Sequence, residues 1–214
     1  DLVKNQMKMD EYELGTGEKI PTTMVKHLGR MRIPTLFPQL LQQAGYQTCH
    51  AGKWHISDNP TSFGFDINIG GSHAGNPGSY YPPYKNVPSL QPPTQEYYLT
   101  NLIMDKTLEF IKNTGADPFF LYYSPYAVHT PIQPMKNLLS KYENKPEWNG
   151  QNNTEYATMV ENLDIQVGRL VEELKSSGKF ENTFILFTSD NGGHYKITKQ
   201  WPLRSGKGSY YEGG

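Results

Sequence analysis

Two oxygen-donor side chains, Asp190 and Asn191, directly follow a short apolar run at residues 183–187. A carboxylate and an amide oxygen are hard donors of the kind that Ca²⁺ and Mg²⁺ bind, and the two glycines that come next allow a tight turn. The same residues are also typical of an ordinary Asx turn, so the sequence leaves a metal site and a simple turn open here. The imidazole of His194 follows and is a candidate substrate contact.

Lysine and histidine side chains follow two further apolar segments. Lys53 and His55 come after residues 46–50, and they lie on the same side of the chain if it stays extended. His129 comes after residues 118–124. Together these groups could hold an anion, whereas each one alone is more often a surface lysine or a histidine satisfied by a neighbour.

A long segment at residues 63–93 is rich in glycine, proline and tyrosine. The sequence predicts an ordered loop here, and loops of this length inside a domain are usually functional. Ser72 and His73 in this loop are therefore candidate substrate contacts. The tyrosines indicate either an aromatic surface suited to sugars or a cover over the core, and both interpretations stay open.

The apolar pattern predicts alternating helices and strands that would position these groups. Residues 1–33 show no period and are predicted to be irregular, and Thr35 is the predicted cap of the first helix. The predicted order is helix 35–45, strand 46–50, loop 63–93, helix 96–113, strand 118–124, helix 155–177 and strand 183–187. This alternation is typical of an α/β fold with a mostly parallel sheet and helices on both faces. The polar groups would then meet at the edge where the strands end.

The composition limits the classes of function. The chain has 214 residues, of which 36% are hydrophobic, so it can bury one sizeable core. The net charge of −1 without long runs of one sign indicates neither a nucleic-acid partner nor a membrane-surface patch. No apolar segment reaches the ~20 residues needed to span a bilayer. The single cysteine, Cys49, excludes an internal disulfide and is interpreted as a buried small residue.

Four segments together resemble the sulfatases of the alkaline phosphatase superfamily. They are Gly-Tyr-Gln-Thr at 45–48 with Gly-Lys-Trp-His at 52–55, Phe-Phe-Leu-Tyr at 119–122 with His-Thr-Pro at 129–131, Ser-Asp-Asn-Gly-Gly at 189–193, and the glycine- and lysine-containing segment 203–214. The match runs through most of the chain, and its specificity comes from the four segments in the right order.

The resemblance implies a role for each matching position. Asp190 and Asn191 correspond to Ca²⁺ ligands, with Mg²⁺ as the less expected metal. The residues implied around the sulfate are Lys53, His55, His129 and Lys207. The match at Ser72 and His73 is looser, and these two correspond to a further polar contact with the anion.

Two family features do not occur in this sequence. The family's nucleophile is a formylglycine made from Cys or Ser in the pattern Cys/Ser-x-Pro/Ala-x-Arg, and two adjacent aspartates complete its metal site. The segment that begins at Cys49 has Lys53 where the pattern needs Arg. We therefore expect residues 1–214 to be an internal part of the catalytic α/β domain, incomplete at both ends and inactive alone. The nucleophile segment and the C-terminal small domain are expected to lie outside it.

The resemblance implies a sulfuric ester hydrolase in the periplasm, the lysosome or a secreted form, and the tyrosine-rich loop favours a sulfated carbohydrate as its substrate. A sulfated saccharide is thus the expected partner. One alternative is a phosphatase or phosphonate hydrolase of the same superfamily, in which two metals and more carboxylates are usual. Another is a non-catalytic protein that binds sulfated glycans.

Overall fold

The computed structural model describes residues 36–214 and contains a three-stranded parallel sheet with the strand order β2-β1-β3. The strands are β1 (Gln47–Gly52), β2 (Ile67–Ile69) and β3 (Phe119–Ser124). The parallel sheet and the strands predicted near 46–50 and 118–124 are confirmed. The predictions for residues 1–33 and for Thr35 lie outside the described residues.

Strand β1 lies at the centre of the sheet and is buried on both faces. Cys49 and Ala51 point to one face, and Thr48 and His50 to the other, as the two-residue period of a strand requires. All four side chains are fully buried. Because β1 pairs with β2 on one side and β3 on the other, its carboxyl end lies at the middle of the sheet edge. Lys53 and His55 follow directly after it.

Three of the four described helices lie where the apolar periodicity predicts them, and the short helix Leu139–Tyr142 was not predicted. Their bounds are α1 (Phe37–Gln43), α2 (Leu99–Asn113), α3 (Leu139–Tyr142) and α4 (Thr154–Ser176), with 3₁₀ turns at Pro60–Phe63, Lys136–Leu138 and Phe180–Asn182. Helix α1 ends just before Gly45, which adopts a positive φ of 86°.

Helices cover both faces of the sheet, which confirms the predicted architecture. On one face Phe37 of α1 packs edge-on against Phe120 of β3, with ring centroids 5.4 Å apart. On the other face Phe110 of α2 packs edge-on against Phe119 at 6.2 Å. Neighbouring residues of β3 thus contact helices on opposite sides, and the core of the domain is divided between two layers.

Among the described residues, α4 is the longest helix, and it packs against α2. Met159 and Leu174 on its predicted apolar stripe are buried. Asn162 and Gln166 are also buried, and Asn162 Nδ2 donates to Asn101 of α2 at 2.9 Å. Part of the stripe is therefore a packing surface, as predicted, whereas Leu163, Val167 and Val171 line an open cleft. Within residues 36–214, no helix has the length and apolar character required to cross a bilayer.

The predicted loop at residues 63–93 contains the short strand β2, which the sequence analysis missed. Only three residues of β2 pair with β1, too few to give a period, and tertiary contacts decide such short strands. The tyrosines of this region mainly cover the core, since Tyr80 and Tyr84 are buried. The interpretation of this loop as an aromatic sugar-binding surface is therefore wrong for these two side chains.

The prediction that residues 183–187 form a strand of the sheet is wrong. Within the described chain this segment forms no ladder with β3, and Phe184 and Leu186 are 90% and 77% exposed. The apolar run indicates burial, but it does not specify a hydrogen-bonding partner, which depends on tertiary context. The segment instead lies along a wide cleft that β3 also lines.

Candidate active site

One open cleft of about 2570 Å³ lies beyond the carboxyl ends of β1 and β3 and extends along β3 to α4. Most of the predicted site residues line it, although they are spread over more than 150 positions. Those that line the cleft are Lys53, His55, His129, Asp190, Asn191, His194 and Lys207. Ser72 and His73 do not belong to its lining.

Lys53 is fixed where β1 leaves the sheet. Its backbone N–H donates to the carbonyl of Ser124 at 2.6 Å, and the hydroxyl of Ser124 donates to the carbonyl of Lys53 at 2.7 Å. The preceding Gly52 has a φ of 112°, and a Cβ there would collide with the Ser124 carbonyl. Glycine is therefore required for β1 and β3 to remain this close.

The imidazole of His50 contacts both residues of this turn, Lys53 and Ser124. Its Nε2 lies 3.1 Å from the Lys53 carbonyl and 3.2 Å from the Ser124 hydroxyl. The ring is fully buried and packs edge-on against Trp54 and Phe65. Burial lowers the pKa of His50 to about 4, so the imidazole is neutral near pH 7. The sequence analysis missed His50 and Ser124, because neither type is unusual at the end of a strand.

His55 lies among the other cationic groups. Its backbone has a positive φ of 62°, and its N–H donates to the Ser72 carbonyl at 2.9 Å. Partial burial lowers the pKa of His55, and the charges of four nearby groups lower it further. These groups are Lys53, His129, His73 and Lys207. Two lysines and two histidines from four separate segments therefore lie close enough to His55 to lower its pKa.

The His129 side chain has a defined tautomer when it is neutral. Its Nδ1 lies 2.9 Å from the carbonyl of Thr130, which can only accept, so Nδ1 carries the hydrogen. This leaves Nε2 able to take up or release a proton. The His129 carbonyl accepts from the hydroxyl of the buried Tyr80 at 2.9 Å, and this contact holds the loop that follows β3.

Ser72 and His73 make local contacts outside the cleft. The Ser72 hydroxyl accepts from Ala74 N–H at 3.2 Å and lies 3.4 Å from the Asn86 carbonyl. The His73 imidazole lies 3.0 Å from the carboxylate of Asp58, and both side chains are exposed. These contacts shape the loop, and they give neither side chain a position in the cleft.

Asp190 and Asn191 are on a turn that packs against the last residues of the chain. The Ser189 hydroxyl donates to the Asn191 carbonyl at 2.7 Å, and a Cβ at Gly192 would collide with the Gly213 carbonyl. Among residues 36–214, no group of three or more His, Cys, Asp or Glu side chains is arranged to hold a metal. Asp190 and Asn191 therefore offer two hard oxygen donors. The amide oxygen of Asn191 is not one of the side-chain types counted in such a group.

Two other contacts complete this side of the cleft. The Lys207 N–H donates to the Gly193 carbonyl at 3.0 Å, so the glycine- and lysine-containing segment is tied to the Asp190 turn. The His194 Nδ1 accepts from Lys196 N–H at 3.2 Å, which places the hydrogen of a neutral ring on Nε2. The His194 ring also stacks on Tyr195.

Cys49 is a buried thiol, as predicted. Its side chain has no exposed surface, and burial raises its pKa to about 12. A thiol in this state is almost entirely protonated at neutral pH, and the thiolate is the nucleophilic form. Cys49 is therefore part of the core.

The comparison with known protein families connects this geometry to one family. The sulfatase family profile matches residues 8–214. The chain belongs to the sulfatase family. Among curated relatives, human N-acetylgalactosamine-6-sulfatase is 29% identical and mouse arylsulfatase J is 32% identical. These alignments cover 84% and 83% of this chain but 37% and 32% of the relatives.

Two solved structures show the same fold. Ps i-CgsB, crystallised in complex with k-i-k-neocarrahexaose, is 33% identical with a TM-score of 0.67, and the match covers 83% of this chain and 44% of that protein. The PsFucS1 sulfatase from Pseudoalteromonas sp. is 22% identical with a TM-score of 0.60, and the match covers 83% of this chain and 42% of that protein. At this identity the likeness supports the fold alone. The chain therefore spans less than half of each of these relatives.

Proposed function

We propose that the complete protein containing this chain hydrolyses sulfate esters of a carbohydrate. The observation that carries this proposal is that Lys53, His55, His129 and Lys207 all line one cleft, with His55 close enough to the other three for their charges to lower its pKa. Membership in the sulfatase family supports a sulfate ester as the anion that this cleft would bind.

The cations suit the charge that develops in sulfate ester cleavage. Negative charge grows on the ester oxygen and is redistributed over the sulfate oxygens as the S–O bond breaks. Ammonium groups such as those of Lys53 and Lys207, placed beside the ester, would stabilise that charge more in the transition state than in the free ester. Lys53 is held by two backbone contacts with Ser124, so its backbone position requires little reorganisation during the reaction.

His129 is our proposed proton donor to the departing sugar hydroxyl. Its Nδ1–H is fixed on the Thr130 carbonyl, so Nε2 is the nitrogen that exchanges a proton with substrate. An alkoxide is a poor leaving group in water, and a positioned acid typically contributes ~10²–10⁴-fold to such a step. His55 has a lowered pKa, which favours its neutral form and suits it to a hydrogen-bonding role toward the anion.

Asp190 and Asn191 fit a Ca²⁺ site as part of its ligand set. They contribute a carboxylate and an amide oxygen, both typical calcium ligands, on a turn where a Cβ at Gly192 would collide with the Gly213 carbonyl. Since Ca²⁺ takes ~6–8 oxygen ligands, other groups must complete the shell. When bound, the ion would supply positive charge beside the sulfate oxygens.

We infer that the nucleophile is a formylglycine outside residues 1–214. The sequence contains no Cys/Ser-x-Pro/Ala-x-Arg segment, and Cys49 is buried and protonated. The residues described here would then bind and orient the ester and assist departure of the alcohol. A carbohydrate substrate is supported by relatives whose names or structures concern N-acetylgalactosamine 6-sulfate and a neocarrahexaose.

The test is release of inorganic sulfate by the complete protein from a sulfated oligosaccharide and from an aryl sulfate, measured by ion chromatography. We expect Ca²⁺-dependent sulfate release that falls sharply in Lys53→Ala and Lys207→Ala. Faster hydrolysis of the matching phosphate or phosphonate ester would favour the phosphatase alternative. Binding of the sulfated oligosaccharide without any turnover would favour a non-catalytic protein.

A further inference from the structure

A second, smaller pocket of about 470 Å³ lies next to the cleft. It is lined by aromatic, amide and cationic side chains together. Its lining includes Tyr195, Lys199, Gln200 and Trp201. Trp148 lies beside this lining and is not part of it, and its indole meets the lining residue Trp201 edge-on with ring centroids 6.4 Å apart. The two indoles therefore form a corner.

The two halves of this pocket are joined by Gln151. Trp148 and Gln151 pair across a tight turn, in which Asn149 and Gly150 adopt positive φ values. The Gln151 amide donates to the Lys199 carbonyl at 2.5 Å, and its oxygen accepts from the Thr198 hydroxyl at 2.8 Å. Both ends of one amide thus hold the Trp148 turn against the 198–201 segment, so the corner is fixed by specific contacts.

The aromatic rings of this corner are open to solvent. Trp148 is 69% exposed and Trp201 is 65% exposed, and Tyr195 beside them is also exposed. Exposed large aromatic groups clustered beside polar ones commonly mark a binding surface. An indole has a flat apolar body with one polar N–H, which suits a ligand that presents an apolar ring face and hydroxyl groups together.

The pocket is continuous with the proposed sulfate site. A Cβ at Gly193 would collide with Thr198 and Gln200, so the pocket residues pack directly against the Asp190 turn. The carbonyl of Gly193 accepts from Lys207 N–H at 3.0 Å. One residue, Gly193, therefore contacts both the pocket and the segment that carries Lys207.

We propose that this pocket is a subsite for a second sugar residue of an acidic oligosaccharide. The C–H face of the ring would pack on Trp201 or Trp148, while its hydroxyls would bond to Gln200 and the Lys199 ammonium would attract a sulfate or carboxylate group. This proposal rests on the proposed function, because the neighbouring sulfate site defines which end of the saccharide is cleaved.

The test compares Trp148→Ala and Trp201→Ala in the complete protein with Tyr210→Ala as the matched control. Tyr210 is 99% exposed and lines neither the pocket nor the cleft. The probes are a sulfated galacto-hexasaccharide and the corresponding sulfated monosaccharide. Binding is measured by calorimetry and turnover by sulfate release, and size-exclusion chromatography reports the oligomeric state.

We expect each tryptophan variant to weaken hexasaccharide binding by about tenfold and to change monosaccharide turnover by less than about twofold. The Tyr210 variant should match the wild type. Unchanged hexasaccharide binding, or an equal loss for both probes, would overturn the subsite. A changed oligomeric state or loss of folding in both tryptophan variants would also overturn the subsite. Either result would show that the two indoles pack against another subunit or another part of the complete protein.

These outcomes separate the subsite from the proposed function. If the wild-type protein binds the hexasaccharide through the tryptophans but releases no sulfate, the subsite stands and the hydrolase proposal fails. If it releases sulfate and the tryptophan variants bind normally, the hydrolase proposal stands and the subsite fails.

Discussion

Lys53 and Ser124 are joined by two hydrogen bonds in opposite directions, one from the Lys53 N–H and one from the Ser124 hydroxyl. They lie 71 positions apart in the chain, at the ends of the adjacent parallel strands β1 and β3. The bond from the side chain can be removed while the backbone bond is kept. Ser124 is therefore a positioning residue whose contribution can be measured separately.

Replacing Ser124 by Ala should lower the free energy of unfolding by about 1 kcal/mol, because one hydrogen bond to a partly buried carbonyl is lost. The KM for a sulfate ester should rise, since Lys53 is held less firmly. Urea denaturation and steady-state kinetics measure the two effects. Ser140→Ala, an exposed serine on α3, is the control and should change neither. A loss of stability with an unchanged KM would show that Ser124 has no role in placing Lys53.

His50 should make the stability of the domain depend on pH. The folded state holds its pKa at about 4, against 6.5 for an ordinary histidine, so the unfolded chain binds more protons between these values. The stability contribution is fully present above pH ~6.5 and is lost as the pH falls toward ~4, by up to roughly 3 kcal/mol.

The variant His50→Gln removes this titration but keeps an N–H that can donate to the Lys53 carbonyl. Its free energy of unfolding should fall less steeply than that of the wild type between pH 6.5 and 4. His194→Gln replaces an exposed histidine and should keep the wild-type slope. Parallel slopes for His50→Gln and wild type would contradict the assignment of a neutral, buried imidazole.

The sequence predicted the parallel sheet, the helices on both faces and the segments that line the cleft, because these depend on apolar periodicity and on the common edge of parallel strands. It could not predict that residues 183–187 stay outside the sheet, since an apolar run does not choose a strand partner. It also could not predict the contacts of Ser72, whose hydroxyl bonds within its own loop. The supports of Lys53 were missed because Ser124 and His50 are distant in sequence and of common types.

His129→Gln should slow turnover in a way that depends on the leaving group. Loss of the acid should lower kcat about 10²–10⁴-fold for a sugar sulfate, whose alcohol needs a proton. The loss should be much smaller for 4-nitrophenyl sulfate, because nitrophenolate departs without one. Comparing kcat for the two substrates measures this directly, and an equal loss for both would remove His129 from the role of acid.

Lys207→Ala should raise the pKa of His55. Partial burial is the main cause of the lowered pKa of His55, and the positive charge of Lys207 also contributes. Removing that charge therefore makes the imidazole easier to protonate. NMR titration of the His55 ring measures the change. Lys207→Arg keeps the charge and should leave the titration near that of the wild type, as should Lys196→Ala. A His55 titration unaffected by Lys207→Ala would show that the two groups are not neighbours in solution.

Asp190→Ala should weaken Ca²⁺ binding and sulfate ester turnover together, because it removes the charged oxygen donor of the proposed pair. We expect the Ca²⁺ dissociation constant from calorimetry on the complete protein to rise by at least about tenfold. Asp164→Ala is the matched control, since this carboxylate is exposed on α4 and does not line the cleft. Asp66 would not serve as a control, because its carboxylate accepts hydrogen bonds from the N–H and hydroxyl of Thr48 and from the Gln42 amide, and its removal would disturb these contacts. If Asp190→Ala binds Ca²⁺ as tightly as Asp164→Ala does, the Asp190 turn is an ordinary Asx turn and the metal lies elsewhere.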